Sequence, residues 1–276
     1  MTDNLFTVRG KVALITGGTS GIGLMIARGL IRRGVKTYIA GRSLEQSVST
    51  AEQLTREAES GDGASDNDSA DTTRRAGECI GLAADLSDAQ GPQRLAADLA
   101  RQEPRLHLLI NNAGASETGT IDTLSVDAWD QVMNVNLRAG FFLVQQLLPL
   151  LRNAATTRDP ARIINIGSIG GLHIPNWEAF PYGASKAALH HLTRALTKRL
   201  GRENIVVNAI APGPFPSRLT DVDSDAVKKS VKTYVPLGRP GEPEDIEGVV
   251  VFLASRAGAY VNGTTIPLDG GYVAAL

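Results

Sequence analysis

Short apolar runs alternate along the chain with longer stretches in which apolar residues recur every three or four positions. The runs Val12–Thr16, Thr37–Ala40, Ile80–Ala83, Leu108–Asn111, Arg162–Gly167, Ile205–Ile210 and Thr264–Leu268 predict strands. Several are apolar almost throughout, as parallel strands covered on both faces must be. The stretches between them, at about 22–33, 44–57, 91–102, 125–152, 182–200 and 243–255, predict helices. Strand followed by helix, repeated, implies right-handed crossovers and a doubly wound α/β sheet, with residues 1–276 as a single domain.

One segment breaks the alternation. Glu57–Gly77 is rich in Gly, Ser, Asp, Asn and Thr and nearly lacks large apolar side chains. It cannot bury enough surface to offset its ordering entropy, which predicts a mobile surface insertion, either solvated padding or a lid.

Composition narrows the function classes. Hydrophobic residues are 42% and charged residues 21% of the chain, enough for a sizeable core. With 28 Lys+Arg against 29 Asp+Glu, there is no electrostatic pull toward nucleic acid or an anionic membrane. Cys79 is the sole cysteine, so no internal disulfide can form and a reducing, cytoplasmic setting is expected. Met1–Phe6 lacks the basic-then-apolar pattern of a secretory signal. Leu137–Leu151 comes nearest to a membrane span, but Arg138, Gln145, Gln146 and Pro149 interrupt it, and a buried helix is expected instead. No metal site is expected.

The first predicted strand runs into Gly17-Gly18-Thr19-Ser20-Gly21-Ile22-Gly23 and then a helix. Glycines at such a turn let the backbone approach a pyrophosphate, and the helix N-terminus offers free N–H groups. A Gly-rich turn without a ligand is the plainer reading. The second strand closes on Gly41-Arg42-Ser43. A carboxylate there would bind the ribose hydroxyls of NAD, whereas the arginine fork of Arg42 matches the 2′-phosphate of NADP. NADP(H) is therefore expected over NAD(H), against the alternative of a solvated arginine. Asp85, followed by Leu86, is placed either to bind the adenine amino group or to cap the next turn.

Tyr182 and Lys186 stand four apart at the start of a helical pattern, hence on one face. A phenol titrates near ~10, and a neighbouring ammonium stabilises its anion, so the pair can serve as a general acid. An ordinary surface pair has the same spacing. Ser168 ends an apolar strand, where open α/β sheets bind ligands, and its hydroxyl could orient a carbonyl oxygen. Asn136 interrupts a long helical pattern, either to hold a water or to satisfy a kink.

Taken together, Thr16-Gly17-x-x-x-Gly21-x-Gly23, Asn111-Asn112-Ala113-Gly114, Asn136, Ser168, Tyr182-x-x-x-Lys186, Pro212-Gly213 and Asp269-Gly270-Gly271 resemble the short-chain dehydrogenase/reductase family over nearly the whole chain. That resemblance implies a Rossmann-type, seven-stranded sheet and a catalytic centre of Ser168, Tyr182 and Lys186, with Asn136 supporting a proton relay. It implies that Lys186 contacts the nicotinamide ribose, that Asn112, Ala113 and Gly114 line the cofactor, and that Ser217 touches the nicotinamide amide. Phe215, near Ser217, joins the cofactor contacts on the same grounds. It also implies a homotetramer, or a homodimer, built through the helices at 125–152 and 182–200. The chain departs from the NADP-preferring pattern at Ser20, where those members often carry a basic residue, so the NADP expectation rests on Arg42. Arg162–Ser168, Tyr182–His190 and Ala211–Arg218 further resemble the β-ketoacyl reductases of the rhamnolipid-pathway and 3-oxoacyl-carrier-protein type.

Leu172, His173, Ile174, Pro175, Trp177 and Phe180 are expected to overhang the substrate, and about 213–236, with Phe215–Tyr234 as its body, to form a lid. Arg218, Lys228, Lys229 and Lys232 could attract a phosphopantetheine carrier or simply form a solvated helical face. The implied activity is NADPH-dependent reduction of a keto group, with a 3-oxoacyl thioester as one substrate. The alternatives are an alcohol dehydrogenase or ketoreductase of steroids, sugars or polyketides, and a cofactor-binding regulator that turns nothing over.

Overall fold

A computed structural model of the chain describes residues 4–61, 76–174, 178–218 and 220–276. Seven parallel strands form one sheet: β1 Val12–Thr16, β2 Lys36–Gly41, β3 Cys79–Ala83, β4 Leu108–Asn111, β5 Ala161–Ile166, β6 Ile205–Pro212 and β7 Thr265–Leu268. Their order across the sheet is β3-β2-β1-β4-β5-β6-β7. The order reverses at β1, which pairs with β2 on one side (Val12 opposite Lys36) and with β4 on the other (Ala13 opposite Leu108). In such sheets a crevice opens beyond the carboxyl ends of the strands at this reversal.

The helices are α1 Gly21–Arg32, α2 Leu44–Ser60, α3 Gly91–Ala100, α4 Val126–Met133, α5 Ala139–Ala154, α6 Phe180–Leu200, α7 Asp225–Tyr234 and α8 Pro243–Ala254. Strand residues alternate between two cores because successive side chains leave opposite faces. Ala13 and Ile15 pack with Ile26, Leu30, Ile246 and Leu253 of α1 and α8, while Leu14 packs with Leu95, Leu143 and Leu147 of α3 and α5. This Rossmann-type single domain is the architecture expected.

The differences are local. The long helix expected at 125–152 is two helices, α4 and α5, joined by a π-helical turn at Asn134–Arg138. The expected insertion is ordered at both described ends. Glu57 belongs to α2 and pairs with Arg28 at 3.0 Å, and Gly77 donates its N–H to the Ile31 carbonyl at 2.7 Å. The middle of that insertion, 62–75, lies outside the described residues, as do Pro175 and Trp177. The expected lid contains α7, capped by Ser224, whose hydroxyl accepts the Val227 N–H. Among the described residues no helix is long and apolar enough to cross a membrane, and no group of metal-ligating side chains forms.

Candidate active site

The glycine turn after β1 is held from beneath by the end of β4. Gly17 and Gly21 have φ of 64° and 53°, left-handed values that favour glycine. Thr16 Oγ1 accepts the N–H groups of Asn112 and Ala113, both at 3.0 Å, and Asn112 Nδ2 donates to the Gly17 carbonyl at 3.0 Å. Ser20 caps α1 without a side-chain hydrogen bond, so the first N–H groups of that helix stay open toward the crevice. Thr19 leans on Gly41 at the end of β2, while Ile22 packs on the core. The turn therefore has the shape, the free donors and the dipole to hold a dinucleotide pyrophosphate.

At the edge of this cradle Arg42 is exposed and has no hydrogen-bond or ion-pair partner among the described residues. Ser43 beside it caps α2, accepting the Gln46 N–H at 3.2 Å. Asp85 closes a turn through Oδ1, which accepts from the Ser87 N–H at 3.0 Å and the Ser87 hydroxyl at 2.6 Å. Those bonds, together with the nearby Arg42 charge, hold its carboxyl below the usual range. Leu86 buries its side chain in the core.

The second half of the site gathers beyond β5. Ser168 is extended and caps a single 3₁₀ turn, its Oγ accepting the Gly170 N–H at 3.0 Å. Tyr182 and Lys186 come from one face of α6, and Lys186 Nζ lies 5.6 Å from the centre of the tyrosine ring. Burial pushes the Tyr182 phenol above its ordinary value, and hydrogen bonding to Ser168 pulls it partly back. Lys186 is 4% exposed, has no carboxylate partner among the described residues, and donates from Nζ to the Ile166 carbonyl at 2.8 Å. Burial alone lowers its pKa to about 8. At neutral pH this gives a protonated phenol beside a cation, a proton donor whose conjugate anion has a counter-charge ready.

Asn136 lies in the π-helical turn and is buried. Its Oδ1 accepts the Ala115 N–H at 2.8 Å, and its Nδ2 donates to the Ala115 carbonyl at 3.0 Å and to Ser185 Oγ at 2.9 Å. Ser185 in turn donates to the Tyr182 carbonyl at 2.8 Å. Gly114 sits between Asn136 and Lys186, with a notional Cβ 3.6 Å from Asn136 Oδ1 and 3.8 Å from Lys186 Nζ.

The family profile described as Enoyl-(Acyl carrier protein) reductase matches residues 17–273. The rhamnolipids biosynthesis 3-oxoacyl-(acyl-carrier-protein) reductase of Pseudomonas aeruginosa is 41% identical over 269 residues, covering 97% of this chain and 98% of that protein. The solved Pseudomonas aeruginosa RhlG/NADP active-site complex aligns with a TM-score of 0.86 at 41% identity, over 98% of this chain and 99% of that one. A 2-dehydro-3-deoxy-D-gluconate 5-dehydrogenase of Dickeya dadantii is 35% identical over 278 residues, 98% of each chain. This chain belongs to the short-chain dehydrogenase/reductase family. It is an oxidoreductase acting on CH–OH or C=O groups.

In this short-chain dehydrogenase/reductase the fold brings Ser168, Tyr182, Lys186 and Asn136 to one end of the sheet, beside the glycine turn. Pro212 ends β6, the Gly213 N–H bonds the Leu268 carbonyl at 2.9 Å, and Ser217 packs against Gly21. Phe215 is different: its ring is buried in the core against Gly241, so its side chain does not line the crevice. Sequence reading also passed over Ser185 and the buried chain in which Asn111 Nδ2 donates to Asn165 Oδ1 and Asn165 Nδ2 donates to Thr193 Oγ1, both at 2.9 Å. Polar residues inside otherwise apolar strands were the available signal.

Proposed function

We propose that this chain is an NADPH-dependent carbonyl reductase acting on a 3-oxoacyl thioester or a related keto compound. The observation that carries the reading is the meeting of Ser168, Tyr182 and Lys186 beside an open, glycine-built helix N-terminus. Reduced nicotinamide, when bound, supplies a hydride. Gly17, Thr19, Ser20, Gly21, Ile22 and Gly23 would cradle the pyrophosphate. Arg42, with Ser43, would meet the 2′-phosphate, Asp85 and the Leu86 backbone the adenine, and Asn112, Ala113, Gly114, Pro212, Gly213, the Phe215 backbone and Ser217 the nicotinamide half. Ser168 Oγ orients the carbonyl oxygen, and the Tyr182 hydroxyl gives it a proton as negative charge develops. Lys186 holds the resulting phenolate and the ribose, and Asn136 keeps the relay behind it in place. Its relative of known NADP complex and the free guanidinium of Arg42 both favour NADPH, and with it the reductive direction.

A sugar or alcohol dehydrogenase running on the same groups is the second reading, favoured by the likeness to the Dickeya dadantii enzyme. We further infer that the chain assembles as a homotetramer through α4, α5 and α6, because Trp129, Phe141, Phe142 and Phe180 leave apolar surface exposed there. The α7 region would then close over substrate.

The test is NADPH oxidation with 3-oxoacyl N-acetylcysteamine thioesters, beside titration of NADPH and NADH by nicotinamide fluorescence. Tyr182→Phe should abolish turnover while leaving NADPH bound. Arg42→Ala should weaken NADPH by roughly 10–100-fold and leave NADH unchanged, the scale of a lost charge-assisted contact. Preference for NADH, or turnover of alcohols alone, would favour the second reading.

A further inference from the structure

His190 belongs to the same face of α6 as Tyr182 and Lys186, two turns beyond the first and one beyond the second. It is 3% exposed, and among the described residues neither ring nitrogen makes a well-formed hydrogen bond, the Gly171 backbone being a polar neighbour of the ring. A buried polar ring so weakly paired needs a reason. Its position supplies one. A Cβ placed on Gly167 would lie 2.1 Å from His190 Nε2, and one placed on Gly171 would lie 2.9 Å from Cε1. Gly167 and Gly171 flank the turn that Ser168 caps, so the imidazole fills the space beneath it and contacts both of its ends. Burial first, then the charges of Lys186 and Arg194, outweigh the Gly171 backbone contact and hold the imidazole down at about 4, neutral under working conditions.

We propose that His190 is a positioning residue for Ser168: its ring, wedged between Gly167 and Gly171, sets the position of the Ser168 hydroxyl beside Tyr182. This rests on the reading of Ser168 as the group that orients the substrate carbonyl. The ring touches neither substrate nor cofactor and acts through the turn alone. Two glycines are needed because the ring occupies the space their side chains would take. A histidine serves because it is flat, fills the gap and carries no charge beside Lys186.

The experiment is a double-mutant cycle between His190→Ala and Ser168→Ala, read as single-turnover hydride transfer, with NADPH affinity and Tm measured alongside. A shift of about 1 Å in a reacting group can cost roughly 100-fold in rate. His190→Ala should slow the wild-type background by roughly 10–100-fold, leave NADPH affinity within about twofold, and cost nothing further once Ser168 is alanine. His190→Leu, which keeps most of the filled volume, should show the same pattern more weakly and serves if the alanine variant does not fold. An equal loss in both backgrounds, or an unchanged rate in a folded variant with lowered Tm, would overturn the proposal and leave His190 as core filling. If Ser168→Ala itself keeps full activity, the reading of Ser168 fails, an outcome distinct from the failure of His190.

Discussion

Asn112 ties down the carbonyl of Gly17: its Nδ2 donates to that oxygen at 3.0 Å and to the Thr16 carbonyl at 2.9 Å. Gly23, on the first turn of α1, faces the same two groups. A Cβ there would stand 2.4 Å from the Gly17 oxygen and 2.5 Å from Asn112 Nδ2. Neither is a free chain end that can swing aside. Gly23→Ala should therefore push the turn off Asn112, costing about 1–3 kcal/mol of stability as overpacking does. Nicotinamide fluorescence titration should show NADPH affinity reduced by at least roughly tenfold, since the displaced N–H groups are those proposed to hold the pyrophosphate. Unchanged affinity would mean that the turn absorbs the methyl group without moving.

Lys186 is a buried cation that donates to the Ile166 carbonyl and lies over the Tyr182 ring. Its pKa is about 8 in the fold, against 10.5 ordinarily. The unfolded chain therefore holds more protons between those values, and folding stability rises as pH climbs through that window. Below pH 8 the burial cost is fully present, about 3 kcal/mol by order of magnitude. Lys186→Met should remove that cost, lose the Ile166 bond, and give a net gain of about 1–2 kcal/mol at pH 7. Activity should fall by at least roughly 100-fold, a trade of function against stability. Denaturant melts of both proteins at pH 7 and pH 10 check the sign, because the gain should shrink at the higher pH.

Much of this was legible in the chain, and the reasons differ by element. β1 and β4 were placed residue for residue because both are covered on two faces and carry almost nothing polar. Position placed Ser168 at the end of a strand and Tyr182 and Lys186 on one helical face, but their grouping into a candidate centre came from the family resemblance. What escaped was set by distant partners. The break between α4 and α5 is invisible to periodicity because a π turn keeps the helical pattern running while shifting its phase by one residue. α7 lies in the stretch read as a lid, where only a solvated helical face at Lys228, Lys229 and Lys232 was in view; Val231 is buried and Val227 packs beside it. The Phe215 ring and the Leu86 side chain are core groups at positions assigned to cofactor contact, an assignment that composition along the chain cannot distinguish from burial. His190 carries no signal in the sequence, because the glycines it packs on, Gly167 and Gly171, are brought to it by the fold.

The opposite end of the sheet, at the amino ends of β1 and β5, offers a contrast. Asp159 pairs there with both Lys11 and Arg162, which are 8% and 1% exposed at the side chain. Arg162 also donates to the Leu253 carbonyl at 3.3 Å and the Ser255 carbonyl at 2.7 Å. Asp159→Ala would leave two buried cations facing each other without their shared anion. The expected cost is about 3 kcal/mol, the lower end for breaking a buried pair because Asp159 itself is partly open to water. The damage lies at the amino ends of the strands, so kcat measured well below the melting temperature should stay within about twofold of wild type. A large loss of kcat in the folded variant would show that the two ends of the sheet are coupled.

His190 also gives the protein an acid limit. Its pKa of about 4 lies below the ordinary 6.5, so the unfolded chain binds a proton across that interval and the folded chain resists it. Stability attributable to this residue is complete above pH 6.5 and declines as pH falls toward 4, by about 3 kcal/mol by order of magnitude. The cause is burial first, then the Lys186 charge one turn away. His190→Leu should lose less stability than the wild type between pH 6.5 and 4, although it starts lower at pH 7 through imperfect packing. Parallel chemical melts across that range measure the difference in slope. Carboxylates such as Asp159 and Asp245 titrate identically in both proteins, so their contribution cancels in the comparison. Equal slopes would mean that the ring reaches solvent when it charges, and that its place under the Ser168 turn is less closed than its 3% exposure indicates.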